Sequence, residues 1–128
     1  MKVNNESKHS KALLMALIFR IMMNVLPEKQ KEVLLTLLSL IEPAGMEQGC
    51  LSYGVFRDIR DKNIFNLISE WQDRQYLNLH LQSDRVTVLL GTKSLLSEPM
   101  KIQIVTASGI EGLEAVNAER KNRRDLTI

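Results

Sequence analysis

The segment from Leu13 to Val25 constrains the fold more than any other part of the chain, because it is apolar on both sides. Read as a strand, it puts Leu13, Met15, Leu17, Phe19, Ile21, Met23 and Val25 on one face and Leu14, Ala16, Ile18, Arg20, Met22 and Asn24 on the other. Periodicity alone also allows a buried helix; the β-branched and aromatic content favours the strand. Such a strand needs cover on both sides. A chain of 128 residues with few helices has difficulty supplying two layers, so a second subunit is expected to supply one of them. The expected assembly is a homodimer with its sheets packed face to face, to which Ile102 and Ile104 in a last strand add apolar surface.

The polar opening MKVNNESKHSK, followed by the apolar run from Ala12 to Met23, superficially copies a signal peptide. Arg20 interrupts that run, and bulky residues stand where a cleavage site needs small ones. The run is also shorter than the roughly 20 apolar residues of a membrane helix. Residues 1–11 therefore read as a mobile N-terminal tail, residues 12–107 as one α+β domain, and residues 108–128 as a C-terminal tail. The length suits a single domain. A lone cysteine, Cys50, can form no intrachain disulfide, which suits a cytoplasmic location. The 17 basic and 15 acidic side chains leave a net charge of +2, too little to draw nucleic acid or a membrane surface as partner.

Beyond the first strand, Pro27 stands where a first helical turn accepts it, and Leu34, Leu37, Leu38 and Ile41 recur at helical spacing. The pattern predicts a helix over Glu28 to Glu42, broken by Pro43, Gly45 and Gly49. Extended stretches over Cys50 to Asp58 and Ile64 to Trp71 predict a hairpin. Asp73 is a candidate cap for a short helix through Gln82, and Ser83 or Asp84 for a second one. Met100 to Thr106 alternates as a last strand. The order β-α-β-β-α-β is the ferredoxin-like arrangement, an antiparallel sheet with helices on one face.

Strong catalytic motifs are missing: the chain has no phosphate-binding glycine loop, no CxxC and no HExxH. Its histidines are His9 and His80, so no metal site is expected. Cys50, opening an apolar strand, reads as a small buried hydrophobe rather than a nucleophile. The run Glu119 to Arg124 reads as solvated. Arg20 is the odd residue of the first strand. Its guanidinium needs a partner, either a carboxylate such as Glu70 or a bound phenolate.

Three local patterns then occur in order. Gly49-Cys50-Leu51-Ser52-Tyr53 opens the second strand, Glu70-Trp71 closes the third, and His80-Leu81-Gln82-Ser83 ends the first short helix. Together they resemble the antibiotic-biosynthesis monooxygenase family, which includes quinol monooxygenases, over roughly Leu13 to Thr106. The resemblance implies a dimeric α+β barrel, and an enzyme that oxidises a quinol or phenolic aromatic substrate with O2 and no cofactor. It would make His80 the base, Arg20 the partner of the substrate anion, and Trp71, Tyr53 and Tyr76 the substrate-binding residues. After the HLxS pattern this chain has Asp84-Arg85 where the family often has Pro-His. Haem-degrading relatives use a histidine of the following helix, and none lies between Val86 and Glu98, so haem ligation by that route is not expected. A second reading is a non-catalytic dimeric ligand-binding or regulatory domain of the same fold.

Overall fold

A computed structural model describes residues 16–126 of the chain, with side chains through residue 123. The N-terminal tail and the first residues of the expected strand lie outside that range. The elements are β1 (Leu17–Asn24), a 3-10 turn at Pro27–Lys29, α1 (Gln30–Gly45), β2 (Cys50–Arg57), β3 (Ile64–Trp71), α2 (Arg74–Leu81), α3 (Asp84–Gly91), a second 3-10 turn at Thr92–Leu95, β4 (Lys101–Thr106) and α4 (Leu113–Leu126). The four strands form one antiparallel sheet in the order β2-β3-β1-β4, so the fold is α+β and ferredoxin-like. Among the described residues no helix is long and apolar enough to cross a membrane.

One face of the sheet carries the core. Leu17, Phe19, Ile21 and Met23 of β1 stand beside Phe65, Leu67, Ser69 and Trp71 of β3, and all are buried. α1 covers them with Val33, Leu37, Leu40 and Ala44, while α2 adds Leu77 and His80 and α3 adds Val86 and Leu89. The buried stripe of α1 differs from the expected one: Leu38 is half exposed, and Leu37 is shared by both. The helix carries leucine or isoleucine at 34, 35, 37, 38, 40 and 41, so its pattern fits more than one orientation and packing selects among them.

Two boundaries also differ from the sequence reading. Pro43 does not end α1, which continues to Gly45. A proline in the last turn removes one backbone donor, and the completely buried Ala44 just beyond it holds that turn against the core. Residues 113–126, expected as part of a tail, form the exposed helix α4. The hairpin is closed by Asp58, whose carboxylate accepts the backbone N–H groups of Arg60 and Asp61 at 2.7 and 3.1 Å.

The opposite face of the sheet has no layer from the described residues. Ile18, Met22, Ile64, Ile68 and Glu70 are half-buried there, and Arg20 and Phe56 are exposed. Ile102 and Ile104 do not join this face. They register with Ile21 and Phe19, which places them on the helix side, beyond the reach of the helices and 48% and 38% exposed.

Candidate functional site

The turn after α1, the end of β3 and the helix α2 are built together. Glu47 follows the helix cap with its N–H on the Ala44 carbonyl at 3.1 Å, and the Cys50 N–H returns to the Glu47 carbonyl at 3.1 Å. Between them Gly49 takes φ +81°, and a Cβ there would stand 2.2 Å from the Tyr76 ring. Glycine is required at this turn by both conformation and space. The Gly49 carbonyl accepts the Gln72 N–H at 2.8 Å, stapling the turn to the residue after Trp71. Asp73 then caps α2 by accepting the Tyr76 N–H at 3.1 Å. The helix turns Leu77 and His80 inward at i, i+3 spacing, bringing His80 back over Trp71.

The His80 ring is 1% exposed. It stacks on the Trp71 indole with centroids 4.4 Å apart and planes inclined at 26°, and it meets the rings of Phe19 and Tyr53 edge-on at 6.1 and 6.0 Å. Its Nδ1 lies 2.7 Å from Oε2 of Glu47. An ionised carboxylate can only accept, so Nδ1 carries the proton in the neutral ring and Nε2 carries the lone pair. Burial holds the imidazole below its ordinary pKa, the Glu47 carboxylate opposes that shift, and the Arg85 charge adds to it. Burial thus favours the neutral form of the His80 ring.

Its surroundings are polar only in a few places. Trp71 Nε1 donates to Ser69 Oγ at 2.9 Å, and that hydroxyl donates to the Phe19 carbonyl at 3.4 Å. Nε2 of His80, the Tyr53 hydroxyl and Nε of Arg85 are all buried, and none has a hydrogen-bond partner in the structure. Burial pushes the Tyr53 hydroxyl well above its usual pKa, with Glu47 and Cys50 adding to the shift and Arg85 opposing it. Cys50 is pushed up to about 11, by burial first and Glu47 second, so its thiol stays protonated at neutral pH.

The structure therefore brings together three of the residues singled out in the sequence, His80, Trp71 and Tyr53, and separates two. Tyr76 packs on Gly49 and its hydroxyl accepts a hydrogen bond from Gln48 at 3.4 Å near the surface, outside the ring contacts of His80. Arg20 stands on the other face of the sheet, opposite Ile68 and Gln103, because side chains alternate and its neighbours Phe19 and Ile21 point into the core. It borders a cleft of about 80 Å³ with Met22, Lys101 and Gln103. Among the described residues it has no ion pair with Glu70, which registers with Ile18 instead. Glu47 and Arg85 are site residues that sequence reasoning missed. Glu47 lies 33 residues before His80, and nothing local links them. Arg85 carried a signal, as half of the Asp84-Arg85 pair that departs from the family pattern. Among the described residues no group of three His, Cys, Asp or Glu is placed to hold a metal ion.

Comparison with known proteins places this geometry among relatives. The family model for antibiotic biosynthesis monooxygenase matches residues 16–89, more than half of the chain. An uncharacterised Synechocystis protein, sll1783, is 31% identical over 81 residues, which cover 62% of this chain and 55% of that protein. The chain thus spans about half the length of that relative. The crystal structure of a conserved protein from Methanosarcina mazei superposes with a TM-score of 0.71 and 27% identity, covering 77% of this chain and 98% of that one. A crystal structure of an antibiotic biosynthesis monooxygenase gives a TM-score of 0.66 and 26% identity, covering 71% of this chain and 97% of that one.

Proposed function

The chain belongs to the antibiotic biosynthesis monooxygenase family, and from that premise we propose that it oxidises a quinol or phenolic aromatic substrate with O2, drawing the electrons from the substrate itself. The observation that carries this reading is the Glu47–His80 pair at 2.7 Å, with the lone pair of His80 left on a buried, unpartnered Nε2. A carboxylate that fixes the tautomer and orientation of an imidazole makes it a general base. Removal of a phenolic proton gives an electron-rich anion that reacts with O2. One oxygen atom stays in the product, the other leaves as water, and the substrate supplies all the electrons. The apolar walls of Trp71 and Phe19 keep water from the anion. No added cofactor is required on this reading. Arg20 lies on the far face of the sheet and cannot neutralise an anion formed at His80, so that role passes to another cation.

The assembly proposed with this function is a homodimer in the cytoplasm. The half-buried Ile18, Met22 and Ile68 on the open sheet face support it, as surface that a second copy would cover. A second reading keeps the fold and drops the chemistry. One face of Trp71 is already occupied by His80, as in a packed core, and that favours a dimeric ligand-binding or regulatory domain. Oxygen uptake with a panel of hydroquinones and anthrones, using metal-free protein and His80→Ala, separates the two. The enzyme consumes oxygen and loses that activity in the variant. Binding without uptake above the buffer rate establishes the second reading.

A further inference from the structure

β4 is hydrogen-bonded to β1 along its length, yet all six of its side chains are exposed. It is an edge strand, and the helices of the core leave its helix side, with Ile102 and Ile104, uncovered. The chain then passes through one bend at Ser108 to α4. The first turn of α4 presents Leu113 and Val116 at i, i+3 spacing, 73% and 54% exposed, with the exposed Ile110 three residues ahead. Two uncovered apolar surfaces thus follow one another in the chain: a strand face that lacks a helix, and a helix face that lacks a floor. Scattered exposed apolar side chains are ordinary, whereas grouped ones mark contact surfaces. The family match ends at residue 89, so it accounts for neither surface.

We propose that α4 of each chain packs on Ile102 and Ile104 of a second copy, so that two chains exchange their C-terminal helices. The inference goes beyond the monooxygenase reading and does not depend on it. The chain's own β4 is not the seat, because in the single chain Leu113 and Val116 stay in solvent while Ile102 and Ile104 stay uncovered. Exchange covers both surfaces with nothing but a second copy. Every chain brings one helix and one strand face, so a two-fold axis makes the contact twice and closes the pair, with neither surface left to recruit a third chain.

Reach allows the exchange. The connection between β4 and α4 is the six residues 107–112, which extend to about 20 Å, and sheets packed face to face lie about 10 Å apart. A helix leaving one sheet can round the free edge of a partner's β4 and lie on its helix side, outside the open-face contact proposed above. The second half of α4, from Glu119 to Asp125, is polar and needs no cover.

The test uses the full-length chain with Cys50→Ser as background. Chains carrying Ile104→Cys and differently tagged chains carrying Val116→Cys are unfolded, mixed, refolded together and treated with oxidised glutathione. A disulfide needs its two Cα atoms within about 7 Å, and a covalent pair of the two different chains is expected. Ala118→Cys, on the opposite side of α4, should give far less of it. In sedimentation Leu113→Glu should weaken self-association at least about tenfold, as the lost burial of one large apolar side chain predicts, while Leu113→Met keeps it. Leu113 is exposed in the single chain, so neither change threatens the fold. Three results overturn the proposal: a chain with both cysteines that closes on itself as a monomer, Ala118→Cys that cross-links as well as Val116→Cys, or no cross-link at all. A dimer that dissociates in Ile68→Glu and is unmoved by Leu113→Glu also removes the exchange and keeps the open-face contact. Absence of oxygen uptake on hydroquinones would remove the monooxygenase reading and leave the exchange standing.

Discussion

The two faces of the sheet are made by the same strands and have opposite fates. On the helix side Ile21, Met23, Phe65, Leu67 and Trp71 are fully buried. One residue along each strand, on the other side, Ile18, Met22 and Ile68 are half-buried and Arg20 is exposed. β1 is wholly apolar on the buried side, and carries Arg20 and Asn24 beside Ile18 and Met22 on the other. The helices follow that bias: α1, α2 and α3 all lie on the wholly apolar side. The faces also divide the polar chemistry. The helix side sequesters His80 with Glu47, and the open side leaves Arg20 near Lys101 and Gln103 in a shallow cleft. Alternation along β1 thus places Arg20 on the face of the sheet opposite His80.

The sharpest way to break this comparison is to remove one large residue from each face. Phe65→Ala on the helix side is expected to cost about 3–5 kcal/mol in denaturant unfolding, by lost burial and the cavity left behind. Met22→Ala on the open side should cost clearly less in dilute monomer, and a larger cost that grows with protein concentration would show that a second copy covers it. For chemistry, His80→Ala should lower oxygen uptake about a hundred-fold to ten-thousand-fold. Arg20→Gln should lower it far less, and equal losses would place Arg20 in the reacting site after all. On the open face, Ile68→Glu is expected to shift the species in sedimentation from dimer to monomer with far-UV circular dichroism retained. A wild type that sediments as a monomer at micromolar concentration removes the dimer.

Two smaller effects sharpen the helix side. Gly49→Ala should destabilise by about 1–3 kcal/mol, because it places a side chain at positive φ and against the Tyr76 ring. The last effect is on pH. The folded-state pKa of His80 is depressed, so protonation favours the unfolded chain. The stability it contributes is fully present above the unfolded value near 6.5 and is lost as pH falls through the folded value. The slope is at most about 1.4 kcal/mol per pH unit for one proton. Unfolding midpoints measured from pH 7 downward should fall in the wild type and flatten over the upper part of that range in His80→Gln. An unchanged slope in the variant would assign the acid sensitivity to other groups.

Much of the fold was legible because its signals are local. The alternation of β3 predicted Ile64–Trp71 to the residue, and Asp73 and Ser83 cap α2 and α3 through their own side chains. Pro43 misled, since a helix breaker acts through one hydrogen bond while the burial of Ala44 acts through the whole core. The leucine-rich α1 could not announce its inner stripe, and α4 is so polar that it reads as solvated chain. Of the site, His80, Trp71 and Tyr53 were marked by residue type and motif.

The sequence by itself thus determined the elements from β1 to β4, their order and the family, because caps, alternation and short motifs act between residues a few positions apart. Tertiary structure alone decided that Glu47 pairs with His80 and that the His80 ring packs among Phe19, Tyr53 and Trp71. Those outcomes depend on contacts between groups far apart in the chain, 33 residues for Glu47 and His80, and no local pattern records them.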